Sequence, residues 1–133
     1  MALCQTNCGE DVAANEGQVF GLLEEAGVAG VDLAALPEVW PCQGPAPLVR
    51  ASAEPIDGPR VQRLAEVARR HGMWIHGGSV LEREGDRVFN TSVLLDRAGS
   101  VVSTYRRSIC STTTRPAACR VASPSSTRPA TRS

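Results

Sequence analysis

The feature that most limits what this chain can fold into is a change of character after Tyr105. All fourteen acidic residues lie between Glu10 and Asp96, whereas residues 106–133 carry six arginines and no acid. The two parts hold net charges of −6 and +6 within a chain that is neutral overall and contains no lysine. Apart from Ile109, Cys110, Cys119 and Val121, every residue from 106 onward is Ser, Thr, Arg, Pro or Ala. Such a segment cannot bury enough apolar surface to offset the entropy of ordering it. The expected organisation is one domain over residues 1–106, followed by a low-complexity basic tail over 107–133 that is disordered.

Residues 1–5 suit a short strand. Asp11 suits an N-cap, and Val12, Val19, Leu22, Leu23 and Ala26 then recur at helical spacing up to a stop at Gly27 to Gly30. Gly17 and Gly21 each weaken that helix by about 1 kcal/mol relative to alanine, so close packing is their expected use. Val31 to Leu36 is an apolar run of buried-strand type, ended by Pro37. Residues 40–58, rich in proline, read as a long loop; Trp40 and the loop to Pro59 either line a substrate pocket or are simply unordered. Pro59 opens a second helix whose apolar face is Val61, Leu64, Val67 and Ala68, with Gly72 as its C-terminal stop. Met73 to Gly78 reads as a strand in which His76 fills an ordinary position. Val80-Leu81 and Val88 to Leu95 then flank a hairpin turn at Glu84-Gly85-Asp86, and a second turn at Asp96 to Gly99 leads to Ser100–Tyr105. The order predicts an α/β fold with parallel strands first and antiparallel ones after.

Several function classes are disfavoured. The tail could attract nucleic acid by charge, but it has no aromatic residue on which bases could stack, and no nucleic-acid partner is expected. Gly77-Gly78 lacks the Gly-x-Gly-x-x-Gly context of a dinucleotide site, so no cofactor is expected. Cys4 and Cys8 have no second ligand pair at matching spacing, so no metal is expected. No stretch approaches the roughly 18 apolar residues of a membrane span. No basic and apolar leader precedes the fold, and five scattered cysteines read as free thiols of a cytoplasmic protein.

Glu38 is the candidate site residue. It follows a buried strand at its carboxyl end, where open α/β sheets place their sites, and a buried carboxylate there can serve as a general base. Its surroundings carry a specific pattern. The string Asp32-Leu33-Ala34-Ala35-Leu36-Pro37-Glu38 resembles the Asp-Leu-Val-Val-Leu-Pro-Glu signature of the nitrilase superfamily of carbon–nitrogen hydrolases. Gln5-Thr6-Asn7, Ile56 to Pro59, Gly77-Gly78-Ser79, Val88 to Ser92 and Asp96 to Gly99 resemble further family segments, in order, over residues 1–106. The omega-amidase-like hydrolases of small linear amides are the most similar subgroup. The resemblance implies the N-terminal part of a four-layer α-β-β-α sandwich, homo-oligomeric assembly, and a small amide or nitrile substrate. It also implies a Glu-Lys-Cys triad working through a thioester, with Glu38 as the general base.

The pattern breaks after Tyr105. The family continues Arg-Lys-Ile-His-Leu-Phe-Asp, its Lys being catalytic. This chain reads Arg106-Arg107-Ser108-Ile109-Cys110-Ser111-Thr112. Arg107 stands at the lysine position, where a planar fork does not replace a compact ammonium, and it reads most simply as a tail residue. Cys110 comes too early for the nucleophile, and Cys119 is followed by Arg-Val-Ala-Ser rather than the family's sequence. The expectation is a truncated, inactive hydrolase; the alternative is a non-catalytic fragment or interaction module with a basic tail. An unpaired sheet edge and an uncovered apolar face favour association. A frameshift accounts for the break. If residues 107–112 are encoded AGA TCC ATC TGT TCG ACG, one A restored ahead of them gives AAG ATC CAT CTG TTC GAC, which is Lys-Ile-His-Leu-Phe-Asp.

Overall fold

The computed structural model describes residues 1–108, and the side chains of residues 1–107. The expectation of disorder beyond Ser108 lies outside the described residues. Five strands form one sheet in the order β1-β2-β3-β4-β5: β1 Ala2–Leu3, β2 Leu33–Ala35, β3 Trp74–Glu84, β4 Arg87–Leu95 and β5 Val101–Ser108. β1, β2 and β3 are parallel, and β3, β4 and β5 are antiparallel. This is the α/β arrangement expected from the sequence.

Helices α1 (Val12–Val28) and α3 (Pro59–His71) connect the parallel strands. Both crossovers step in the same direction across the sheet, and right-handed connections therefore put both helices on one face. The described residues thus form one α layer on one β layer, half of the expected four-layer sandwich. Val19, Leu23, Leu64, Ala68, Ile75, Val93 and Leu95 fill the space between the layers.

The helix boundaries follow from local chemistry. The Asp11 carboxylate accepts the Ala14 N–H at 3.0 Å, satisfying one of the free donors of the first turn of α1. Gly72 ends α3 in the left-handed conformation (φ 59°). Gly17 and Gly21, expected to mark close packing, are open on their outer sides. The tight approach is at Gly27, where a Cβ would collide with the His71 ring. The long loop also contains a short helix, α2 (Ala46–Ala51), which has no side-chain cap and buries none of its residues.

Charged groups tie the helices together. Arg60, on α3, is buried and pairs with Glu16 (3.0 Å) and Glu54 (3.3 Å) while donating to the Ser52 carbonyl. Glu24, on α1, accepts from His71 at 2.7 Å and from Arg70 at 2.5 Å. The His71 hydrogen bond, helped by the Arg70 and His71 charges and opposed by desolvation, holds the Glu24 carboxyl below its ordinary value of 4.5. A lowered carboxylate contributes stability that is present above the ordinary value and lost as pH falls through the lowered one. Glu24 is 39% exposed, so the contribution is expected to stay under about 1 kcal/mol. Glu24→Gln should flatten the acid limb of the stability curve, measured by urea unfolding at about pH 6 and about pH 3.5. An unchanged acid limb in the variant would show that the pair does not couple to folding.

Among the described residues, no helix is long and apolar enough to cross a membrane. No group of three or more His, Cys, Asp or Glu side chains among them could hold a metal ion.

Candidate functional site

The segment Leu36–Trp40 is stitched to β3 rather than left as a free loop. The Leu36 N–H donates to the His76 carbonyl (2.9 Å), extending the β2–β3 ladder past the end of β2. β3 then shifts register between His76 and Ser79, a bulge that turns Gly77 and Gly78 toward the segment. The Ser79 N–H donates to the Pro37 carbonyl (3.3 Å), and Ser79 Oγ accepts the Val39 N–H (3.0 Å). Trp40 Nε1 donates to the Gly77 carbonyl at 3.0 Å.

Two backbone positions show how tightly this seat is drawn. Gly78 has φ 61°, and its Cα lies so near the Leu36 and Pro37 carbonyls that a Cβ would overlap both. Val39 has φ 48° and is the sole described non-glycine residue with positive φ. A β-branched residue there costs about 1–3 kcal/mol, and the surrounding hydrogen bonds and the burial of Trp40 hold it in place. Trp40, expected to line a pocket, is instead fully buried. Its large apolar ring packs edge-on against Phe20, with centroids 6.2 Å apart.

This seat presents Glu38 at the face of the sheet turned away from the helices. Because side chains alternate along a strand, Asn90 and Ser92 of β4 and Tyr105 and Arg107 of β5 point to that face, opposite Thr91 and Val93. Glu38, His76, Ser79, Asn90, Tyr105 and Arg107 line an open groove of about 290 Å³ there. Glu38 Oε1 accepts from Asn90 Nδ2 at 2.9 Å and from Arg107 Nη2 at 3.1 Å. Asn90 is buried, and its Oδ1 has no partner among the described residues. Reversing the amide would set two oxygens against each other, so the Glu38 contact fixes its orientation. With both donors on Oε1, Oε2 is the oxygen left to exchange a proton.

Arg107 is therefore a strand residue, not the tail residue expected. β5 runs through Ser108, and Arg107 pairs with Asn90 across the ladder. Asn90 and Ser79 lie in strings quoted from the sequence, but nothing in the sequence gave them a role. His76 is exposed on the groove wall, and its Nδ1 accepts the Gly78 N–H at 3.3 Å. No cysteine lines the groove among the described residues. Cys42 is buried and hydrogen-bonded to the Glu10 carbonyl, and Cys8 to Thr6. Burial pushes the Cys4 thiol up, away from the reactive thiolate.

The family model "Carbon-nitrogen hydrolase" matches residues 1–125. The chloroplastic omega-amidase of Arabidopsis thaliana is 32% identical over 112 residues, covering 80% of this chain and 30% of that protein. Human deaminated glutathione amidase is 33% identical over 114 residues, covering 80% of this chain and 35% of its own length. The chain thus spans about a third of the length of these relatives. Among solved structures, the C. elegans NitFhit protein superposes with a TM-score of 0.71 at 22% identity, covering 79% of this chain and 26% of that one. A CN-hydrolase superfamily protein from Xanthomonas campestris gives 0.66 at 29% identity, covering 77% and 37%.

Proposed function

The chain belongs to the carbon–nitrogen hydrolase family, and on that footing we propose that it carries the general-base half of a site built to hydrolyse small amides. The observation that carries this reading is Glu38, presented at an open groove with Oε1 held by Asn90 and Arg107. A carboxylate so placed can take the proton of an attacking thiol through Oε2 and return it to the departing ammonia or amine. The relatives named as amidases support an amide rather than a nitrile substrate.

The same reading makes this polypeptide inactive. Position 107, beside the general base, holds arginine, and the chain contains no lysine. Arg107 spends its charge on Glu38, where the chemistry needs a cation aimed at a developing oxyanion. A thiolate nucleophile is also needed, and the groove offers none among the described residues. Purified chain incubated with small linear amides is expected to release no ammonia above the protein-free control. Turnover that disappears in Glu38→Gln would overturn the inactivity while supporting the base assignment; turnover that persists in it would overturn both.

A lost base ahead of codon 107 is the proposed cause, since one restored A returns Lys-Ile-His-Leu-Phe-Asp at residues 107–112. Sequencing the gene across codons 105–112 tests it. If no one-base offset there recovers that string, the frameshift is excluded.

A further inference from the structure

Adjacent arginines in β5 are treated very differently by the fold. Among the described residues, Arg107 makes one side-chain hydrogen bond, to Glu38, with both partners about two-thirds exposed at 66% and 64%. Arg106 points the other way, onto the helix-side face, and is gripped from several directions. Its Nε donates to Glu82 Oε2 at 2.9 Å, and its Nη2 donates to Glu82 Oε1, so the carboxylate takes the guanidinium fork with both oxygens. Its Nη1 donates to Glu84 Oε2 at 3.2 Å, and its guanidinium lies 4.4 Å from the Phe89 ring centroid. Glu82 is itself buried, with its side chain 4% exposed, and also accepts the Thr91 hydroxyl at 2.6 Å.

We propose that the Glu82 carboxylate is a socket for Arg106 that fixes which residue of β5 faces Glu38, making Glu82 and Arg106 positioning residues for the cation at position 107. The proposal rests on reading Glu38 as the general base. The geometry gives the reason. Among the described residues β5 is an edge strand whose residues 101–107 are all exposed, so apolar burial does little to choose its register. Thr91 is the ladder partner of Arg106, and Asn90 that of Arg107. Thr91 completes the socket, and Asn90 holds Glu38, so neighbouring residues of β4 serve the two faces in step. Slipping β5 by one residue one way would put Tyr105 opposite Thr91 and Arg106 opposite Asn90, leaving the buried carboxylate without a guanidinium; slipping it the other way would put Ser108 opposite Asn90 and take the cation from Glu38. The bidentate fork with its aromatic backing is far more selective than the single exposed contact at Glu38. Among the described residues, the charged groups in contact at the socket are Arg106 and, through it, Glu84 on β3; Glu54 meets Glu82 only through a backbone bridge, its carboxylate being paired with Arg60.

The test is amide hydrogen exchange by NMR on the full 133-residue chain, together with the side-chain amide resonance of Asn90. Glu82→Gln is expected to reduce protection of the β5 amides at least tenfold and to move the Asn90 resonance on the opposite face, while α1 and α3 keep their protection. Arg107→Leu, which leaves the socket whole, is expected to keep β5 protection within twofold. Arg106→Lys keeps the charge without the fork, and should fall between wild type and Glu82→Gln; it carries the test if Glu82→Gln does not fold. An unmoved Asn90 resonance with β5 protection intact in both socket variants would overturn the proposal, as would equal loss in Arg107→Leu. Ammonia release plays no part in this readout, so failure of the base assignment and failure of the socket are told apart.

Discussion

Trp40→Ala is expected to cost the folded chain about 3–5 kcal/mol, a large part of the roughly 5–15 kcal/mol that stabilises a domain. Three losses combine. The ring is fully buried and packs edge-on against Phe20. The Arg60 guanidinium, 5.9 Å from the ring centroid, loses an aromatic neighbour while staying buried with its carboxylates. The Gly77 carbonyl loses its donor at 3.0 Å. Trp40→Phe keeps much of the packing and removes the indole N–H, so it should cost less, about 1–2 kcal/mol. Urea unfolding followed by the emission of Trp74, the other tryptophan, measures both variants. A loss under about 1 kcal/mol in Trp40→Ala would show that the residue is not a core anchor.

Gly78→Ala is expected to cost on the order of 3 kcal/mol, from a left-handed backbone conformation and from overpacking. The added methyl would meet the Pro37 carbonyl, and the Leu36 oxygen at 2.8 Å. Both obstacles are backbone, so no side chain can swing away; the β2–β3 junction itself has to open. The loosened segment carries Glu38 and Trp40, so the variant should also red-shift Trp40 emission, read in a Trp74→Phe background. Gly21→Ala is the opposing control. Gly21 lies inside α1 with open space beside it, and alanine there should stabilise by about 1 kcal/mol. Equal and small effects at the two glycines would mean that the bulge does not grip the Glu38 segment.

These contrasts mark what the sequence makes legible. Asp11, Pro59 and Gly72 act within one turn of their own backbone, so the ends of α1 and α3 could be read locally. The hairpin turn at Gly85-Asp86 and the Asp96 to Gly99 turn belong to the same class, because their geometry is set by a few consecutive residues. Glu38 is legible through the resemblance of its surrounding string, since a glutamate just past a strand end is by itself an ordinary loop residue. What stayed hidden depends on partners far along the chain. Nothing near Gly27 announces the His71 ring, and nothing near Arg60 announces the buried pairing with Glu16 and Glu54. Trp40 was placed on a pocket wall because its loop looked free, whereas its donor finds a carbonyl 37 residues away. Arg107 reads as a tail residue because composition changes after Tyr105. The β4–β5 ladder continues past that change through Ser108, and ladder pairing does not depend on composition.

The stitching of residues 36–40 to the β3 bulge also bears on the order in which the molecule assembles. β3 and β4 meet across a two-residue turn, a closure on the microsecond scale, whereas the hydrogen bonds that seat Glu38 join residues 37 and 40 apart in the chain. The antiparallel half is therefore expected to nucleate early, and the seat of Glu38 to close only after α3 has carried the chain across the sheet. Late closure predicts low φ-values for the Glu38 segment: its mutations are expected to hasten unfolding and scarcely to slow folding, read from the two arms of a chevron plot. If the segment does close last, persistence of the native state, and not speed of reaching it, decides how long Glu38 is held at the groove.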